Sequence, residues 1–114
     1  MKRFAAHFVF YRQALPLHYV EIRSGRFAGT YPLTEEIAGT AFFDGILLPV
    51  PPSIDKEILD AALLHLHSEA LELSWENLST LLYIGKAEPL EAQPVRLFLL
   101  DPHRYSSSEL RTDD

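Results

Sequence analysis

Residues 3–11, RFAAHFVFY, and residues 17–24, LHYVEIRS, decide the architecture. In the first stretch Phe4, Ala6, Phe8 and Phe10 fall on one side of a pleat, and Arg3, Ala5, His7, Val9 and Tyr11 on the other. This is the period of two that an extended strand imposes. In the second, His18, Val20 and Ile22 oppose Leu17, Tyr19, Glu21 and Arg23 in the same way. RQALP between them closes a hairpin, with Pro16 marking the start of the returning strand. Gly25 lets the chain turn again, and RFAGTY, 26–31, adds a short third strand. AFFDGILLPV, 41–50, reads as a strand or a strand pair around Asp44–Gly45, a dipeptide that favours a tight turn or bulge. Pro49, Pro51 and Pro52 are expected to end strand character, because proline donates nothing to a ladder.

Beyond the prolines the period changes. Ser53 is the expected N-cap, followed by Asp55 and Glu57 in the positive first turn of a helix. Leu59, Leu63, Leu66, Ala70 and Leu73 recur at steps of four and three, one narrow helical face fit to lie on a sheet. Ser74 caps a second, shorter helix with Trp75, Leu78, Leu81 and Leu82 as its apolar stripe and Gly85 as its stop. After a polar linker, VRLFLLD, 95–101, reads as a last strand. The tail from His103, with Ser106, Ser107, Ser108, Asp113 and Asp114, is polar enough to fray. The expected fold is therefore α+β. A mostly antiparallel sheet of N-terminal strands is joined by a C-terminal strand, and two helices pack on one face. One domain spans 1–102 and a flexible tail 103–114.

Composition narrows the function classes. The 114 residues suit one domain, and 47% are hydrophobic, enough for a packed core without staples. The absence of cysteine excludes disulfides, thiolate nucleophiles and thiolate-bound metals. Apolar runs such as 46–50 and 97–100 fall far short of the ~18 residues a membrane helix needs. Arg12 and His7 interrupt the N-terminal apolar stretch, so no signal peptide is expected and the expected setting is cytoplasmic. The net charge of −6 divides unevenly: five basic residues against Glu21 make residues 1–30 net positive, and the remainder is strongly acidic. Those positives form no basic surface of the kind phosphate binding requires, so no nucleic-acid partner is expected.

Catalytic motifs are not evident. Glycines at 25, 29, 39, 45 and 85 form no phosphate loop, and no Gly-x-Ser-x-Gly elbow occurs. Asn77-Leu78-Ser79 matches a glycosylation sequon but lies in an expected helix. His65 and His67 have metal-ligand spacing only on a strand. In a helix, residues two apart diverge by roughly 200°, so the two read as boundary histidines half covered by the sheet and satisfied by water or Glu69, not as ligands. His7 and His18 lie on facing strands, where packing or a pH-sensitive contact is the ordinary outcome. Asp44, Asp55, Asp60 and Asp101 read as structural, at a turn, a helix start, a helix surface and a strand exit respectively. Trp75 and the seven phenylalanines read as core. No catalytic, cofactor-binding or metal residue is assigned, and no cofactor. Two alternatives stand beside this reading: a small metal-dependent hydrolase using His7, His18, His65 or His67 with Glu69, and a small-molecule-binding module with an aromatic pocket.

The order of elements carries a resemblance. Residues 3–27 followed by AFFDGILLPV resemble the start of metal-dependent amidohydrolases, whose small β-rich domain leads through a Gly-[Ile/Leu]-Leu-[Leu/Val]-Pro strand into a catalytic barrel. Gly45-Ile46-Leu47-Leu48-Pro49 matches that strand. Residues 74–101, SWENLSTLLYIGKAEPLEAQPVRLFLLD, resemble the family's closing part, a helix ending at an Ile-Gly pair, a linker and a strand rejoining the small domain. The family's metal-binding His-x-His does not follow Pro49 here, and a barrel of about 250 residues has no room between the two segments. The resemblance thus implies a stand-alone, non-catalytic relative of the accessory (composite) domain, acting by self-association or protein–protein interaction. Without the barrel, both faces of the first hairpin carry large apolar groups, Phe4, Phe8 and Phe10 on one and Val9 and Tyr11 on the other. A homodimer is therefore expected through the outer face or edge of that hairpin, with Arg12 or Arg23 near acidic residues at the rim.

Overall fold

The computed structural model describes residues 1–84 and 89–113. Six strands and two helices follow in the order β1 (Lys2–Phe10), β2 (Ala14–Arg23), β3 (Arg26–Pro32), β4 (Thr40–Val50), α1 (Lys56–Ser68), α2 (Trp75–Leu82), β5 (Arg96–Asp101) and β6 (Ser106–Leu110). They build one sheet ordered β3-β2-β1-β4-β5-β6, antiparallel everywhere except the β1·β4 pair, so the fold is α+β with a mostly antiparallel sheet. No helix among the described residues is long and apolar enough to cross a membrane.

The turns explain the meander. Ser24 and Gly25, both at positive φ, form the two-residue loop between the paired Arg23 and Arg26, as a type I′ hairpin requires. The first hairpin turns earlier than RQALP suggested: Tyr11 N–H donates to Gln13 at 3.1 Å with Arg12 at φ 64°, so Pro16 lies inside β2.

The side-chain alternation of β1 is also displaced. Phe4 and Ala6 share a buried cluster with Val9, whereas Phe10 belongs to the other cluster. The shift comes where β4 carries one residue more than β1 between the Ala6–Phe43 and Phe8–Ile46 pairs. The Asp44–Gly45 dipeptide sits at that irregularity, within a single continuous strand. Gly45 is at φ 140°, and a Cβ there would stand 2.5 Å from the Leu100 carbonyl oxygen, so β5 approaches too closely for any other residue. Pro49 does not end the strand. It pairs with Leu97 beyond the last β1 partner, Leu47, where one side of β4 no longer needs to donate to a neighbour.

The helices cover one side of the sheet. Leu59, Ala62, Leu63 and Leu66 of α1 and Trp75, Leu78 and Leu82 of α2 bury Phe10, Ile46, Leu48, Val50, Phe98 and Leu100. Asp55, not Ser53, caps α1, its carboxylate accepting from Ile58 N–H at 2.9 Å. The helix stops at Ser68 because Ala70 turns left-handed at φ 53°, while Leu71 N–H reaches back to Leu66 at 2.8 Å, the long bond of a Schellman ending. Leu73 therefore reaches the core from a connector. Ser74 caps α2 as expected, accepting from Asn77 N–H at 3.1 Å. A left-handed Tyr83 closes that helix, and the expected stop at Gly85 lies outside the described residues.

The second cluster, Phe4, Ala6, Val9, Val20, Ile22, Phe27, Leu47 and Leu97 with Leu90 and Val95, fills the opposite side. The chain leading into β5 crosses to the far edge strand. Arg26 bridges Pro94, Phe27 N–H donates to Gln93 at 2.9 Å, and Ala92 N–H donates to Phe27 at 2.8 Å. The segment before β5 is thus tied to β3 over this core.

Composition marked 103–114 as a fraying tail after a domain ending at 102, but 106–110 form β6. Asp101 accepts from the amides of His103 and Arg104 at 2.9 and 3.2 Å and shapes the turn. Ser107 is buried, donating to Asp60 of α1 at 2.6 Å, while Lys56 donates to the Ser107 carbonyl at 2.7 Å. From β5, Arg96 grips Glu109 of β6 with two nitrogens at 2.8 and 2.6 Å. Those bonds hold the Glu109 carboxyl below the usual carboxylate range.

Candidate functional site

The helices stop short of the N-terminal half of the side they cover. Two rungs of aligned residues run there across β3, β2, β1 and β4. One is Tyr31, Tyr19, Ala5 and Phe42; the next is Gly29, Glu21, Arg3 and Thr40. In the first rung Tyr19 and Tyr31 lie 5.5 Å apart by ring centroid. Tyr31 folds over Gly29 to donate to Ala28 at 3.0 Å. In the second rung the Glu21 carboxylate, largely buried, lies 3.7 Å from both Arg3 and Arg23.

Four large apolar side chains remain open around these rungs: Leu17 and Phe42 are each 52% exposed, and Phe8 and Tyr31 each 41%. Leu17 stands at φ 48°, opposite the displaced alternation of β1, which turns its side chain outward. The connector 33–39 passes over the same face, anchored where Leu33 N–H donates to Leu17 at 2.8 Å and Thr40 N–H to Ile37 at 3.2 Å. Beneath it runs a groove of about 390 Å³ walled by Ala5, Leu17, Leu33, Ile37 and Phe42, with Glu35, Glu36 and Thr40 also lining it. Arg3 Nε and Thr40 Oγ, on residues paired across β1 and β4, are buried without a hydrogen-bond partner among the described residues.

Next to this face is a cleft of about 360 Å³ at the β4 irregularity, lined by His7, Phe8, Asp44, Ile46, Asp101 and His103 among others. His7 Nε2 lies 3.2 Å from Asp44 Oδ1, and its ring meets Phe42 edge-on at 5.2 Å. Phe42 thus belongs to the groove and touches the cleft.

The other candidate residues do not gather. His18 is paired opposite Ala6 and donates Nδ1–H to the Pro16 carbonyl at 2.9 Å, so it does not meet His7. His65 and His67 are exposed on α1, not half covered by the sheet, and His67 rests against Tyr105 with ring centroids 5.1 Å apart. Glu69 is the C-cap of α1. Asp55 caps, Asp60 anchors β6 and Asp101 shapes a turn, structural roles close to those expected. Trp75 is buried beside Phe10, with ring centroids 6.4 Å apart. Among the described residues no three His, Asp or Glu stand close enough to hold a metal ion. The His7–Asp44 contact and the groove under 33–39 escaped the sequence reading. The Asp44–Gly45 bulge signal pointed to the first, but no residue pattern marks where a connector will cross a sheet.

Neither a family model nor a curated protein nor a solved structure matches this chain.

Proposed function

We propose that this protein is a non-catalytic cytoplasmic module that works by association, with a second copy of itself as its immediate partner. The observation that carries the reading is the open apolar group Phe8, Leu17, Tyr31 and Phe42 on a sheet face that the protein's own helices leave uncovered. Contiguous apolar surface of this kind marks interaction sites. Charge favours a copy of the same chain as the occupant: the face carries Glu35 and Glu36 on the crossing connector, and Arg12 and Arg23 on the hairpin it borders. In a two-fold pairing one arginine of each copy, Arg12 or Arg23, meets the carboxylates of the other, so each contact forms twice. The likeness to the amidohydrolase accessory domain is consistent with this: β5 rejoins the sheet of N-terminal strands, as that domain's closing strand would, and a face freed of a barrel needs another cover.

Charge exchange tests the pairing. Arg12→Glu combined with Arg23→Glu is expected to dissociate the dimer, and adding Glu35→Arg and Glu36→Arg to restore it. A dimer indifferent to the first pair removes the arginines from the interface. Stoichiometric zinc or iron in protein purified without a histidine tag would overturn the non-catalytic reading in favour of a metal-dependent hydrolase.

A further inference from the structure

We propose that the groove beneath residues 33–39 binds an organic cation, an ammonium group carried on an apolar body. Its volume of about 390 Å³ lies within the range of small-molecule sites. Two kinds of wall meet there. Ala5 of β1, Leu17 of β2, Phe42 of β4, and Leu33 and Ile37 of the crossing connector supply apolar surface. Glu35 and Glu36 of the same connector supply charge, and both are exposed. Neither carboxylate has a hydrogen-bond or ion-pair partner among the described residues, and no basic side chain among them lines the groove. An anion therefore meets only repulsion. An ammonium group meets two unmatched carboxylates at the solvent edge, where it keeps part of its water and escapes the cost of burying a charge. Leu17 supports the same reading independently. It stands at φ 48°, a conformation that leucine rarely adopts, yet it is 52% exposed and belongs to neither buried cluster. Strain that does not serve the core concentrates where a ligand is held.

Binding of this kind goes beyond self-association and does not rest on it, although both use Phe42, Glu35 and Glu36. Octylamine, octanol and octanoate are therefore titrated by calorimetry at neutral pH into the unaltered chain and into the Arg12→Glu, Arg23→Glu variant, whose groove carries no substitution. Backbone amide shifts are followed by NMR, and the mass of each sample is measured in parallel. The expected result is saturable octylamine binding with the largest shifts at Leu17 and within 33–42. Octanol binds about fivefold more weakly, the factor that two exposed ion pairs make, and octanoate more weakly still. Shortening octylamine to butylamine costs about tenfold or more, because methylenes leave the apolar wall. Glu35→Gln combined with Glu36→Gln abolishes the preference for amine over alcohol and leaves octanol binding unchanged, and added salt erodes that preference in the unaltered chain. The proposal is overturned by absence of saturable octylamine binding to both proteins, by equal affinity for amine and alcohol, by an amine preference that survives the glutamine pair, or by shifts centred elsewhere. A single-chain mass with octylamine bound removes the dimer and keeps the groove, whereas a dimer beside two proteins that ignore octylamine does the reverse.

Discussion

The Tyr11 hydroxyl reaches both carboxylate oxygens of Glu91, at 3.0 and 2.9 Å, across eighty residues of chain. The contact ties the end of β1 to the segment that crosses to β3, and the Tyr11 ring packs on Phe27 with centroids 4.9 Å apart. Burial, then the bond to Glu91, push the Tyr11 hydroxyl above its ordinary value of 10.0. Because the folded value is raised, the protonated phenol contributes stability that is fully present below the unfolded value and lost as pH rises through the folded one. Tyr11→Phe is expected to cost about 1 kcal/mol at neutral pH and to flatten the alkaline loss. Urea unfolding of both proteins from neutral pH to beyond pH 10 checks it; parallel alkaline limbs would contradict it.

At Gly45 the backbone of β5 lies too close to β4 for a side chain to fit between them. Gly45→Ala is expected to destabilise by about 2–4 kcal/mol, since a Cβ must displace the Leu100 carbonyl and also adopt positive φ. Chemical denaturation measures it, and a change under about 0.5 kcal/mol, typical of surface sites, would contradict the packing described.

Ala70 points the other way. It is exposed and left-handed at the end of α1, where glycine is the unstrained residue. Ala70→Gly is expected to raise stability by about 0.5–1 kcal/mol, the relief of strain exceeding the extra freedom of the unfolded chain. A lower thermal midpoint would refute it.

The fold was legible where local chemistry and global packing agree. The strand character of β1 and β2, the turn at Gly25, the Ser74 cap and the apolar run of β5 all read directly. It was obscured where tertiary contacts override local preference. The Leu59-to-Leu73 stripe hides a helix end because alanine at 70 gives no stop signal. Pro49 lies in a strand because β1 ends before it. Ser106, Ser107 and Ser108 look like a tail until Lys56 and Asp60 supply partners for the buried Ser107. The alternation of β1 shifts only because β4 bulges beside it. Of the candidate face, the apolar residues and arginines of the hairpin were visible, while the acidic rim and groove depend on the path of 33–39, which no local pattern encodes.

β6 depends on two anchors. Ser107→Ala is expected to cost about 1–2 kcal/mol, leaving the Asp60 carboxylate without its 2.6 Å donor. Acid should loosen the same strand. The Glu109 carboxyl is depressed below its ordinary 4.5, so its contribution is present above that value and lost as pH falls through the folded one. Hydrogen exchange at the 106–110 amides reads both effects. Protection unchanged by Ser107→Ala and by acid would show that the strand is held by its ladder alone.

Sedimentation equilibrium at micromolar concentration, comparing the unaltered chain with Phe42→Asp, tests association through this face most directly. Phe42 is 52% exposed and outside both buried clusters, so an aspartate there leaves the fold intact while charging the centre of the open face. Self-association predicts twice the chain mass of 13.0 kDa for the unaltered protein and the single-chain mass for the variant. A single-chain mass for the unaltered protein, or a dimer that Phe42→Asp does not disturb, would contradict it.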